Sequence, residues 1–187
     1  MDSNRNKKKI VDFFQQKWAP ICISILFIIG FLLRLFVIFR IPNEANDAFG
    51  YMEIAEYIIG VDGTTYLIPR EPLFPFLLGL IYLIFPNTYL TARLFTTILG
   101  SVNIVLIYFV AKKYAQKLGA DENSNKFGFV SALFVCFNDR LIFTDSWAVR
   151  EPLYSFLFLI LLYSILIERK TLKKIIYCIC SFLSWFQ

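Results

Sequence analysis

Long, nearly unbroken apolar runs dominate the chain and set its first reading. A helix needs about 20 apolar residues to cross a hydrocarbon core roughly 30 Å thick. Ala19 to Phe39 meets that requirement with Arg34 as its only charge, and Leu90 to Ala111 meets it with Arg93 near its start. Phe127 to Phe143 and Pro152 to Ile167 are shorter, yet apolar enough to span with snorkelling flanks. A fifth run opens at Ile175 and the sequence stops inside it, at Gln187. The pattern therefore predicts an all-α polytopic membrane protein with about four full transmembrane helices and a truncated fifth, and a span halted midway predicts a partial chain. Lys7, Lys8 and Lys9 ahead of the first run give it the look of a signal peptide. The run is too long for one, lacks a small-residue cleavage site and is followed by further spans, so it reads as the first membrane helix.

Two shorter stretches lie between the first and second spans. Asp47 to Ile59 sets carboxylates at 47, 53 and 56 among Phe49, Met52, Ile54 and Ile58, and Pro72 to Phe85 is apolar but too short to cross. Both read as helices lying in the membrane interface. Charge placement supports this. The lysines fall in three clusters, around 7–17, 112–126 and 170–174, whereas Glu44, Asp47, Glu53, Glu56, Asp62 and Glu71 lie between the first two. Lysine-rich loops face the cytoplasm. All three clusters reach that side only if Pro72 to Phe85 does not span. The expected order in this single membrane domain is a cytoplasmic N-terminus (1–18), span 1 (19–40), an outer loop (41–89) holding interfacial helices 47–59 and 71–85, and span 2 (90–111). A cytoplasmic loop (112–126), span 3 (127–143), a short outer turn, span 4 (152–167) and the truncated span 5 (175–187) follow. Trp18 and Trp147 fall at the predicted interfaces, where indole is favoured.

Composition agrees: 58% of the 187 residues are hydrophobic, 18% are aromatic and the mean hydropathy is +0.61. A soluble domain of this size could not cover so much apolar surface. Cys22, Cys136, Cys178 and Cys180 lie in apolar runs without metal-ligand spacing and read as small buried hydrophobes. There is no histidine, which removes the commonest general base. No glycine-rich nucleotide loop occurs, and nothing points to nucleic acid.

Candidate chemistry concentrates in the outer loop. Asp47 stands at a predicted helix start, where it either caps the first amides or faces a polar cavity as a general base. Arg70-Glu71-Pro72-Leu73 is echoed by Arg150-Glu151-Pro152-Leu153. Proline and an acid suit a first helical turn, so the echo reads either as two well-built helix starts or as two sites converging on one cavity with two arginines and two carboxylates. Arginine there can hold a phosphate. Arg34 reads as a residue snorkelling outward from the end of its helix, and Arg93, in the first turn of its span, as one that either snorkels or serves a site.

The Asp47-x-x-x-Tyr51-x-x-x-Ala55 pattern, the Arg-Glu-Pro-Leu helix start and Thr91-Ala92-Arg93-Leu94 resemble the N-terminal part of the GT-C glycosyltransferases. The branch is that of the protein O-mannosyltransferases and lipid A aminoarabinose transferases, over roughly residues 20–167. The resemblance implies a polyprenyl-phosphate-linked sugar as donor, an unidentified acceptor on the outer face, and a multi-pass cell-membrane protein with a cytoplasmic N-terminus. It implies Asp47 as the catalytic acid, Arg70 as the donor-phosphate ligand and Glu151 as the acid opening the fourth span. Arg93, Tyr51 and Tyr66 complete the candidate binding residues, and a divalent metal is left open. This chain has Asp47-Ala48 where the family often has Asp-Glu, and Gly50 where a basic residue often precedes the motif tyrosine. Family members have many more spans, so an incomplete chain is expected to lack half of the donor cavity. The competing expectations are a non-enzymatic membrane subunit or transporter fragment, and an inactive partial chain.

Overall fold

The computed structural model describes residues 2–41, 46–61 and 70–167, with the backbone alone for 2–17 and 46. The expected fifth span, Tyr66, Cys178 and Cys180 lie outside the described residues. Seven α-helices follow in order: α1 (Asp2–Arg40), α2 (Asn46–Ile58), α3 (Leu73–Tyr82), α4 (Tyr89–Lys117), α5 (Ser124–Phe137), α6 (Asp139–Asp145) and α7 (Glu151–Ile167). A 3₁₀ turn, Asp121–Asn123, precedes α5, and no strand occurs among the described residues.

Among the described residues two helices are long and apolar enough to cross a membrane, Trp18–Arg40 of α1 and Tyr89–Lys117 of α4. A third span is reached only if α5 and α6 count together, and they meet at a bend of 64°. The stretch expected as one straight span over 127–143 is therefore broken. Asn138 is the cause: its backbone is extended (ψ 113°) and its side chain accepts from the Leu141 amide at 3.0 Å, ending one helix and capping the next. The 17 residues of α7 make a helix roughly 25 Å long, short of a full hydrocarbon core.

α4 is the axis of the molecule, packed against α1, α5 and α7. It starts on the Thr88 side chain, which accepts from the Thr91 amide, and stops at Gly119, whose φ of +80° suits a residue without Cβ. α1 runs antiparallel to it. Ile23 and Leu26 pack with Ile104, Tyr108, Ala132 and Cys136 in a core near the Lys117 end, while Arg93 near the Tyr89 end reaches the Ile38 and Ile41 carbonyls. Gly128 lets α5 come close, since a Cβ there would lie 2.8 Å from the Tyr108 carbonyl oxygen. α1 turns Ile21, Ile25, Ile28, Leu32, Phe36 and Phe39 away from the protein, a stripe at helical spacing.

A second core lies near the Tyr89 end. There α2 and α3, brought together at Gly79, lay Ala48, Tyr51, Ala55, Phe74, Leu78 and Tyr82 over Ala92, Ala148 and Leu153. The α2–α3 pair thus roofs the turn between α6 and α7. That turn sits below the end of α4. The Trp147 carbonyl accepts from Thr96 at 2.8 Å, and Thr96 lies roughly 10 Å along the axis from Tyr89.

The sunken turn is held by charge. Arg34 is fully buried and donates from Nε and Nη2 to Asp145 Oδ2 at 2.9 and 2.7 Å, and from Nη1 to the Gly30 carbonyl at 3.0 Å. The expectation that Arg34 snorkels outward is corrected: its partner is inside the protein. Irregular backbone at this depth is tolerated where protein groups satisfy it. The Ser146 carbonyl accepts from Arg93, the Asp145 carbonyl from Thr97, and the Ser146 hydroxyl lies 3.1 Å from the Arg34 carbonyl. Gly100 makes room for Asp145, because a Cβ there would meet its carboxylate at 2.3 Å.

Candidate functional site

Asp47 occupies the first turn of α2, where its charge opposes the helix dipole favourably, and its side chain is 68% exposed. Arg70, in the segment leading to α3, donates to it from Nη2 at 3.0 Å. The Arg70 guanidinium also lies over the ring of Tyr51, its central carbon 4.9 Å from the ring centre. Asp47 and Tyr51 fall on one face because they are four apart on a helix.

Tyr51 is only 3% exposed, fixed edge-on against Phe74, which stacks on Phe95 of α4. Burial pushes its phenol above the usual range, with the Arg70 and Arg150 guanidiniums pulling the other way. Gly50 makes the seat for Arg70: a Cβ there would stand 2.6 Å from Nε and 3.2 Å from Cζ. That Nε is buried and has no hydrogen-bond partner.

The two Arg-Glu-Pro-Leu segments meet here. Glu71 ion-pairs with Arg150, and the Arg150 guanidinium lies 5.8 Å from the Tyr154 ring centre. Glu71's own backbone amide, and then Arg150, hold its carboxyl below the usual glutamate range. The structure thus gathers Asp47, Tyr51, Arg70, Glu71 and Arg150 around the roof of the sunken turn.

Other expected residues fall elsewhere. Arg93 is 3% exposed, and all three of its nitrogens donate to carbonyls, of Ser146, Ile38 and Ile41, so it ties α1 and the turn to α4. Glu151 is exposed in the first turn of α7, next in sequence to the residue that joins the cluster. Among the described residues no three acidic or cysteine side chains converge to hold a metal ion. Cys22 and Cys136 are free thiols. A cavity of about 560 Å³ opens at the far end of α4, beside Ser24, Tyr108, Lys112 and Gln116, away from this cluster.

Sequence reasoning missed Gly50 as a site residue and Asp145 altogether. The signal for Gly50 was its place one residue before the motif tyrosine; for Asp145 it was an acid between two apolar runs. Among the described residues the fold is all-helical, with two helices long and apolar enough to cross a membrane and an arginine–carboxylate cluster near one end of them. Compared with known proteins, the chain matches no family model, no curated protein and no solved structure.

Proposed function

We propose that the chain is the N-terminal part of an integral-membrane glycosyltransferase, carrying a sugar from a polyprenyl-phosphate donor to an acceptor at the outer face. The observation that carries this reading is the seat of Arg70, packed on Tyr51 over Gly50 and in contact with Asp47. It puts a carboxylate able to take a proton beside a cation able to hold a phosphate. Charge placement supports the orientation, with the lysine clusters cytoplasmic, the N-terminus among them, and α2 and α3 at the outer interface.

In this mechanism Asp47 takes the proton of the acceptor hydroxyl or amine as that atom attacks the anomeric carbon. The bond from that carbon to the phosphate oxygen breaks, and the electron pair leaves on the phosphate. Arg70, with Arg150 nearby, compensates the charge that develops there, which is the kind of preorganised electrostatics that dominates many rate enhancements.

The test is sugar transfer from a polyprenyl-phosphate donor by the full-length protein in membranes. Asp47→Asn should lower the rate by about 10²–10⁴, the range for a lost general base, with the protein still in the membrane at normal level. Near-normal turnover leaves Asp47 as a helix-start acid and removes it from the chemistry. The second reading, a non-enzymatic membrane subunit, is favoured by one observation: both Arg70 and Arg150 already have carboxylate partners. Under it the pairs are staples between α2, α3 and α7, and neither Asp47→Asn nor Arg70→Gln touches any transfer reaction.

A further inference from the structure

We infer that Asp47 is the resting counter-ion of Arg70, and that the lipid phosphate of the donor displaces it, so that donor binding itself releases the base. This rests on the reading of the site given above. The two members of the pair are held very differently. Arg70 is confined by the Tyr51 ring on one side and the Gly50 backbone on another, with its side chain 20% exposed. Asp47 is 68% exposed and is joined to Arg70 through one oxygen and one nitrogen, at 3.0 Å. Exposed pairs of this kind are worth little, because water replaces the partner at small cost.

The guanidinium is also incompletely used. Nε is buried without a partner, although guanidinium geometry offers parallel donors to an oxyanion. A phosphate brings more oxygens and more charge to the exposed side of the guanidinium than the single Asp47 contact does. The exchange has a consequence for the base. While Asp47 Oδ1 accepts from Arg70, that oxygen is turned from the acceptor, and once phosphate replaces it that oxygen is free to receive a proton. Oδ2 is outside the pair from the start, so the exchange adds Oδ1 and makes both oxygens of Asp47 available to the acceptor's proton. Glu71 and Arg150 form a second, similarly exposed pair beside the first, available to the same phosphate.

The experiment measures binding of polyprenyl monophosphate, without sugar, to the full-length protein in nanodiscs. Asp47→Asn removes the competitor and should tighten binding about two- to fivefold, the scale of one exposed ion pair. Arg70→Gln should weaken binding tenfold or more. In the Arg70→Gln background, adding Asp47→Asn should change nothing. Glu53→Gln, which removes an exposed acid of α2 outside the cluster, should leave binding as it is.

If Asp47→Asn binds equally or more weakly while Arg70→Gln loses binding, the exchange is wrong and the phosphate site stands. Equal tightening by Glu53→Gln also overturns the exchange, since bulk charge then explains it. If Arg70→Gln binds as well as the parent, the phosphate site itself is wrong, and the exchange falls with it.

Discussion

At the scale of single residues, the site depends on a missing side chain as much as on the charged ones. Gly50→Ala places a methyl group within 2.6 Å of Arg70 Nε, and the flexible arginine will give way before the α2 backbone does. The expected outcome is a stability within about 1 kcal/mol of the parent, because the helix propensity gained by alanine inside α2 offsets the displaced arginine, with transfer lowered at least tenfold because Arg70 leaves its seat. Comparing thermal unfolding and turnover on one preparation checks both halves, and equal loss of stability and activity would count against the seat. Asp47 stood out in the sequence as an acid at a helix start, and Tyr51 and Arg70 drew notice through the family resemblance; the structure brings the three together. Gly50 was not legible, since glycine carries no chemistry and its meaning comes from a residue twenty positions on. Arg93 looked like a binding residue for an equally plain reason: sequence shows a charge near a helix start, never the carbonyls that it will meet.

At the scale of elements, α1 and α4 were readable from length and hydropathy, α2 from its mixed composition and α3 from the shortness of its apolar run. The break at Asn138 was hidden because apolar residues continue on both sides of it, and one polar residue in such a run does not announce a bend. Arg34 and Asp145 were hidden by separation, each consistent alone with an end-of-helix charge reaching for water. Their pairing fixes how α6 sits on α1. Arg34→Met or Asp145→Leu alone strands the other charge inside the protein and should cost about 3–5 kcal/mol. The double change should cost clearly less than the two singles together, as expected for residues in direct contact. Chemical unfolding of the four proteins in detergent tests it, and simple additivity would show that the two charges do not depend on each other.

At the scale of the whole molecule, two cores at opposite ends of α4 divide the labour. One packs α1, α4 and α5 together, and the other seats α2 and α3 over the turn before α7. The buried pair joins positions 111 residues apart, and that separation has a bearing on synthesis. The first hydrophobic segment leaves the ribosome carrying an arginine whose counter-charge has not yet been made. Placing such a residue at the centre of a span costs about 3 kcal/mol on insertion scales, and less toward the end of the helix, where Arg34 lies. Ribosome-arrested chains stopped before residue 138 should therefore be extracted by alkaline carbonate more readily than chains stopped beyond 167, and Arg34→Leu should erase the difference. Insertion of the opening segment is in that sense provisional, a debt of charge settled only when translation reaches the far side of the hairpin.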